Sequence, residues 1–378
     1  MPAKNFVNFH VLISHSPSCL NRDDMNMQKT AIFGGVNRVR ISSQSLKRAM
    51  RTSDYYLTHL GEPSIRTRDL SRLRTQMTEA LKERFDADTV SQALEWMSGK
   101  EGIADGVGAD AVAPWSLEEV AHFCKLLTEP GQELKKLEKQ MAKDAAPFRA
   151  AMADAKDIAL SGRMATSGLM NSLPVDGALA IAHAITTHAV EPQDVDWFTA
   201  VDDLTIDAGE TGAGHLDTQQ FSSGVFYRYA SLNLRQLQVN LGLLPSIKSA
   251  ETDASRATAL DIARHVFHML ATVVPSAKQQ SFAAHNMSDI ALVSFADQPI
   301  SLANAFEEPV PANSKSGFLK PSINALIDYW ERIHKAYGVN EVARAFSVQP
   351  GIRLDGESAF DSLAAMETWI CKDGMQED

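Results

Sequence analysis

The segments FVNFHVLIS (residues 6–14), VNRVRI (36–41) and SSQSLKRAMR (42–51) decide how the first part of this chain folds. The first two are rich in β-branched and aromatic residues and are flanked by turn-forming Ser, Pro and Gly, which predicts two strands. Ser42 or Ser43 provides an N-cap for the helix that follows. The N-terminal part is therefore predicted to run strand, loop, strand, helix.

The rest of the chain alternates between helical and β-rich segments. Consecutive helical patterns fill residues from about 69 to 162, and further helices are predicted at 252–274 and 321–337, with the strand DIALVSF (289–295) between them. The pattern at 181–190 fits helix or strand, and its Ile and Thr content favours strand. A helical insertion between two β-containing parts is typical of the α+β class.

Composition limits the kind of protein. Of the 378 residues, 44% are apolar and 22% are charged, which is ordinary for a globular protein large enough for two domains. No apolar run reaches the roughly 18–20 residues of a membrane span, and no signal-peptide pattern opens the chain. Three scattered cysteines indicate neither a disulfide framework nor a zinc motif, so we expect a cytoplasmic location.

Charge is distributed unevenly along the chain. The whole chain has a net charge of −11, but its first 74 residues contain 12 basic and 5 acidic side chains, and the remainder has a net charge of −18. The 29 residues from Met25 to Ser53 include no Asp or Glu. Because a polyanion responds to local potential, this region is a candidate phosphate-binding surface on an acidic protein.

Two interpretations of this basic region stay open. The start of the predicted helix would favour an anion through its unpaired N–H groups, with lysine, arginine and neutral donors around it. Alternatively, the charges form an ordinary solvated helix face. The residues of the predicted phosphate cradle are Arg22, Lys29, Ser42, Gln44, Lys47 and Arg51.

A second basic segment lies in ELKKLEKQMAKD. Glu133 and Glu138 stand at helical spacing from its lysines, which favours a surface helix stabilised by side-chain pairs over a contact to a nucleic-acid duplex. The lysines concerned are Lys135, Lys136, Lys139 and Lys143.

The sequence contains no positive indication of catalysis. Asp23 and Asp24 could hold a divalent metal ion, but adjacent aspartates in a polar loop are more often turn formers. The pairs His265/His268 and His183/His188 match no zinc pattern. Nucleophile-elbow, phosphate-loop and dinucleotide motifs are absent from the sequence.

Some apolar residues could contact bases instead of the core. Exposed aromatic and Met side chains stack on nucleic-acid bases or wedge between them, although the pattern alone favours core packing for each residue here. The candidates are Met164, Trp197, Phe198, Thr199 and Val201.

Several long motifs resemble one known family. Residues 10–35, 38–51, 157–168, 196–204 and 221–230 closely resemble the CasC family, the crRNA-binding backbone subunits of type I-E CRISPR Cascade complexes. The motifs recur in order over roughly the first 340 residues, whereas the helical insertion is similar only loosely and the last thirty or so residues match poorly.

The resemblance implies a fold and a division into domains. It implies a modified RNA-recognition-motif (ferredoxin-like) palm, formed by residues 1–60 and 179–378, with a helical fingers insertion at 61–178. A β-hairpin thumb is expected at about 192–224 within the second palm part.

It also implies a function without catalysis or cofactors. The chain would oligomerise along crRNA, with the six cradle residues on the phosphate backbone, Met164 as a wedge beside a flipped base, and the residues at 197–199 and 201 supporting the kink. Its expected partners are crRNA, the target DNA strand paired with the guide, about six copies of itself, and the large, small, 5′-handle-binding and crRNA-processing Cascade subunits, with no membrane contact. The four lysines of 135–143 remain a possible contact to target duplex.

Two other functions stay open. Type III complexes contain related backbone subunits that cleave target RNA with a metal-dependent Asp, for which Asp23 or Asp24 would be the candidate. A plain protein-interaction domain would bind no RNA and would show no salt-dependent RNA affinity.

Overall fold

The computed structural model describes residues 3–99, 108–143, 147–148, 151, 154–164, 168–200 and 213–375. At positions 68, 108–113, 172, 196–200 and 213–217 it describes the backbone alone.

The described chain is a mixture of strands and helices in the α+β class. The strands are β1 (Phe6–Ser18), β2 (Thr30–Phe33), β3 (Val36–Ile41), β4 (Ile65–Asp69), β5 (Gly108–Trp115), β6 (Leu179–Ile181), β7 (Ala184–Thr186), β8 (Gln193–Ala200), β9 (Ala213–Asn233), β10 (Ile290–Ala296), β11 (Val342–Ser347), β12 (Arg353–Leu354) and β13 (Glu357–Ser358). The α-helices are α1 (Ser43–Arg51), α2 (Asp54–Leu60), α3 (Leu70–Leu81), α4 (Ala87–Ser98), α5 (Leu117–Leu127), α6 (Leu134–Lys143), α7 (Lys156–Ser161), α8 (Leu234–Asn240), α9 (Asp253–Thr272), α10 (Gln279–Phe282), α11 (Leu319–Tyr337) and α12 (Leu363–Cys371). Short 3₁₀ helices lie at Gly168–Ser172 and Ala303–Phe306. None of the described helices is both long enough and apolar enough to cross a membrane.

A large antiparallel sheet organises the fold. Seven of its nine strands are neighbours in the order β11-β10-β1-β9-β7-β3-β2, and the other two, β6 and β8, pair with β9. β1 pairs with β10 from Phe6 opposite Ala296 to Leu12 opposite Ile290. β10 is buried at every position, as expected of a central strand covered on both faces.

Helices cover both faces of this sheet. On one face, Leu12 and Leu292 share a core with Leu326 of α11. On the other, Phe9 of β1 lies 6.4 Å from Phe267 of α9, measured between ring centroids. Because alternate residues of a strand point to opposite faces, β1 contributes to both cores.

The chain divides into two compact units. The first consists of residues 1–50, 181–231 and 266–378, and it contains most of the large sheet. The second consists of residues 51–180 and 232–265. Residues 51–60 and 232–265, which the resemblance assigns to the palm, therefore cluster with the second unit, and the palm and fingers boundaries stay predictions.

The second unit has a helical core of its own. Leu73, Leu94 and Phe123, from α3, α4 and α5, are buried together. A capping box begins α5: the Ser116 hydroxyl accepts from the Glu119 N–H at 3.2 Å, and the Ser116 N–H donates to the Glu119 carboxylate. The capping box therefore fixes where α5 begins, and the buried apolar residues fix the faces by which the three helices pack together.

Most of the predicted elements are confirmed. The two N-terminal strands, the helix after Ser42, the strands within 181–190, and the helices near 252–274 and 321–337 all form. The prediction of helices alone from 69 to 162 was wrong in one place, because β4 and β5 form an antiparallel pair. β5 follows a Gly-rich stretch and its periodicity is obscured by repeated alanine.

Candidate nucleic-acid interface

The loop after β1 is closed by backbone hydrogen bonds. The Lys29 N–H donates to the Asn21 carbonyl at 2.9 Å, and the Lys29 carbonyl accepts from the Arg40 N–H at 2.9 Å. Arg22 and Gln28 form an isolated antiparallel bridge across the same loop. These bonds place Lys29 beside β3, so the loop and the strand form one surface.

Helix α1 begins at the same place. The Ser42 hydroxyl accepts from the Ser45 N–H at 3.2 Å, and the Ser42 N–H donates to the Asn21 side-chain oxygen at 2.9 Å. The first turn of α1 contains no acidic residue, so no side chain there neutralises the positive end of the helix dipole. Asn21 thus joins the loop to the start of a helix that favours anions.

The structure places the first three predicted cradle residues in this loop and at the helix start. Arg22 and Lys29 are half-buried in the loop, and the Arg22 guanidinium donates to the Asn26 side chain. Ser42 is 6% exposed and acts as the helix cap. No carboxylate among the described residues pairs with the Lys29 ammonium.

The remaining residues follow one face of α1. Gln44 is exposed, and Lys47 and Arg51 are half-buried. Positions 44, 47 and 51 are three and four residues apart, so they share a helix face. Their side chains therefore form one stripe along α1, from its first turn to its last residue, Arg51.

An apolar cluster supports this surface from below. Leu20 of the loop, Ile41 of β3 and Leu46 of α1 are buried with Ala184 and Phe226. Because interiors are close-packed, loop, strand and helix are fixed relative to one another.

One arginine of the acid-free stretch does not reach the surface. Arg38 is 0% exposed, and its guanidinium donates to the carbonyl oxygens of Thr186 at 3.0 Å and Phe306 at 2.9 Å. Further carbonyl partners are Phe33 and Glu307. Burial lowers the pKa of Arg38. This charge therefore stabilises the fold and is not part of the anion surface.

His183 is a residue of this surface that sequence reasoning missed. Its Nδ1 lies 3.3 Å from the Ser43 N–H donor nitrogen and 3.3 Å from a guanidinium nitrogen of Arg40. Both neighbours are donors, so Nδ1 is the acceptor and the proton of the neutral ring is on Nε2. No motif around position 183 signals this contact, which depends on β7 pairing with β3.

The predicted wedge residue is exposed. Met164, in the second unit, has 85% of its surface exposed, so the core packing that its pattern favoured is wrong. Trp197, Phe198 and Thr199 lie on β8, which pairs with β9 in an antiparallel hairpin, and only their backbone is described. Val201 lies outside the described residues.

The second basic segment forms α6. Leu137 and Met141 bury one face of this helix. The expected pairs with Glu133 and Glu138 are not formed among the described residues, whereas the Lys136 ammonium donates to the Gly131 carbonyl at 3.3 Å. All four of its lysines are exposed: Lys135, Lys136, Lys139 and Lys143.

The paired aspartates form a turn. The Asp23 carboxylate accepts from the Met25 and Met27 N–H groups, each at 2.9 Å. This is the turn-forming role that aspartate often has in polar loops. The described residues contain no group of three or more His, Cys, Asp or Glu placed to hold a metal ion.

The fold and this surface define a class of protein, an α+β chain with a basic loop–helix surface suited to a polyanion. The chain belongs to the CT1975-like protein family, whose model matches residues 7–369. A comparison with curated proteins gives no significant match.

Two solved structures are similar to this chain over nearly its whole length. A chain of a "CRISPR RNA-guided surveillance complex, pre-nicking" superposes with a TM-score of 0.76 at 27% identity, over 98% of this chain and 100% of that one. A chain of another "CRISPR RNA-guided surveillance complex" superposes with a TM-score of 0.55 at 22% identity, over 96% and 98% of the two chains. The second likeness concerns the fold alone.

Proposed function

We propose that this chain is a backbone subunit of a type I-E CRISPR Cascade complex, a member of the CasC group that polymerises along crRNA. The observation that carries the proposal is the full-length likeness to a chain of a CRISPR RNA-guided surveillance complex, at 27% identity and a TM-score of 0.76. In this proposal the large sheet is the RNA-recognition-motif-like palm, the helical insertion is the fingers, and the β8–β9 hairpin is the thumb.

The cradle residues would hold the phosphate backbone of crRNA. A subunit that accepts any guide must bind phosphate, ribose and base faces, because contacts to base edges would select sequences. The positive end of the α1 dipole, the Lys29 ammonium and the side chains of the α1 stripe offer positive charge and side-chain donors without base-edge selectivity. Base pairing with the guide then selects the target DNA strand.

The wedge and thumb would divide the guide into segments. An exposed Met164 can insert between stacked bases, and the β8 residues 197–199, with Val201, would support the kink. Interrupting the hybrid at intervals would let the target strand pair without winding fully around the guide.

The remaining partners follow from the same proposal. Further copies of the chain and the other Cascade subunits would complete a cytoplasmic complex. The exposed lysines of α6 would be an additional contact to target duplex, since exposed lysines attract phosphates wherever they cluster.

We propose further that the subunit is not a nuclease. Asp23 has the role of a turn former, since two backbone N–H groups donate to one of its carboxylate oxygens, Oδ1. With Mg²⁺ and an RNA complementary to the guide, the assembled complex is expected to leave the RNA intact. Cleavage at regular spacing that disappears in Asp23→Ala or in Asp24→Ala would establish the alternative instead.

Salt dependence tests the phosphate contacts one at a time. For single-stranded nucleic acid the logarithm of affinity falls by about 0.7 per logarithmic unit of salt for each phosphate contacted. Lys29→Ala is therefore expected to reduce this slope by about 0.7, whereas Lys320→Ala, at an exposed position of α11, should leave it unchanged. Equal slopes for the two variants, measured by fluorescence anisotropy with unstructured RNA, would remove Lys29 from the cradle.

A further inference from the structure

Hydrogen bonds and close packing fix the backbone immediately before Met164. The Arg163 N–H donates to the Val175 carbonyl at 2.8 Å, and the Val175 N–H donates back to the Arg163 carbonyl at 3.0 Å. Gly162 has φ of +76°, and a Cβ there would lie 2.7 Å from the Gly177 nitrogen. An 85% exposed methionine thus follows directly on a fixed, closely packed turn.

The Arg163 side chain is fixed as well. One of its guanidinium nitrogens lies 2.8 Å from both carboxylate oxygens of Glu119, and the other donates to the Leu173 carbonyl at 3.2 Å. Both side chains of this pair are 1% exposed. Glu119 also belongs to the capping box that begins α5. The pair therefore links the residue before Met164 to the start of a core helix.

Stability alone does not explain such a pair. Burying two charges costs about as much free energy as their attraction returns, and apolar residues of similar volume are often as stable. Burial raises the pKa of Glu119, and the Arg163 charge opposes that rise. A guanidinium–carboxylate pair differs from apolar packing because its hydrogen bonds fix the orientation of both groups.

We propose that the Arg163–Glu119 pair is a positioning element that holds Met164 outward so that it can wedge between stacked bases of single-stranded RNA. This inference rests on the wedge function proposed for Met164. Neither Arg163 nor Glu119 touches the RNA in this account, since both are buried. Their contribution is to prevent the methionine from folding back onto the protein.

Base unstacking gives a direct readout. A guide RNA with 2-aminopurine in place of adenine becomes more fluorescent where bases are unstacked, and the RNA is loaded into the complete complex. Met164→Ala is expected to lose most of the fluorescence increase, whereas Met164→Leu should retain it. Glu119→Asp shortens the carboxylate arm without removing its charge, and it is expected to lose at least half of the increase while RNA affinity and its salt slope stay unchanged.

A neighbouring ion pair provides the matched control. Glu118, the residue before Glu119 in α5, pairs with Arg84 at 2.7 Å, but their side chains are 43% and 47% exposed. Glu118→Asp is therefore expected to leave the fluorescence unchanged. A second variant, Glu119→Leu with Arg163→Met, removes both buried charges together and is expected to behave like Glu119→Asp.

The outcomes separate this inference from the function it rests on. An unchanged signal in Met164→Ala would mean that the wedge function itself is wrong. Loss of signal in Met164→Ala, together with full signal in both pair variants, would overturn the positioning role alone. If both pair variants unfold, or lose RNA binding while Met164→Ala keeps it, the pair is a general stability element and the positioning role is also overturned.

Discussion

Charge reversal at Lys29 and Lys47 together is expected to abolish RNA-dependent assembly while the monomer stays folded. Both side chains are only half-buried, so neither substitution disturbs the apolar core. Each charge-assisted contact to phosphate contributes about 1.5–3 kcal/mol, and reversal adds repulsion, so RNA affinity should fall about 100-fold or more. Size-exclusion chromatography with crRNA, and circular dichroism of the free chain, measure the two parts of this prediction.

Lys315→Glu with Lys320→Glu is the matched control. These two lysines are exposed, belong to the first unit and lie outside the loop and α1, and the double substitution makes the same change in net charge. We expect the control to assemble with RNA almost normally. Equal losses in the two double variants would mean that overall charge, rather than the cradle, governs RNA binding.

Arg38→Met is expected to destabilise the first unit by about 3 kcal/mol or more. Methionine nearly fills the same volume, but it removes the donor of two buried hydrogen bonds, to the Thr186 and Phe306 carbonyls, and of a part-buried one to the Glu307 carbonyl. Each unsatisfied buried acceptor costs about 1–3 kcal/mol. Urea denaturation followed by tryptophan fluorescence measures the change in the free energy of unfolding.

Arg40→Met, two residues along the same strand, is the comparison for stability. Arg40 is half-buried, and its guanidinium has exposed contacts to Thr30 and His183, so its loss should cost less than about 1 kcal/mol. Any folded Arg38→Met protein should bind RNA as tightly as the unsubstituted chain. Normal stability with weakened RNA binding would instead make Arg38 a phosphate ligand.

Local signals made much of the fold predictable. The strands β1 and β3 follow from β-branched residues flanked by turn formers such as Gly-Gly, and α1 follows from a serine cap. Each signal lies within a few residues of the element that it determines. The β4–β5 pair was missed because strand pairing joins Ile65 to Trp115 across the two helices between them, α3 and α4, and no local pattern records such a partner. Residues 232–265 joined the second unit for the same reason, through contacts distant in sequence.

The candidate surface was only partly predictable. The acid-free run indicated the right region, but charge counts do not separate Lys29, at the surface, from Arg38, which is fully buried. Burial depends on the partner strand and on the carbonyls around 306 and 307, which lie far along the chain. His183 joins the surface only because β7 pairs with β3.

The stoichiometry of a purified complex tests the central proposal most directly. The chain would be co-expressed with the other complex subunits and a crRNA precursor, purified through an affinity tag, and its bound RNA sequenced and its mass measured. The proposal predicts one guide RNA bound by several copies of this chain, with subunit number increasing as the guide is lengthened. Recovery of the chain without RNA, or as a single copy whatever the guide length, would contradict it.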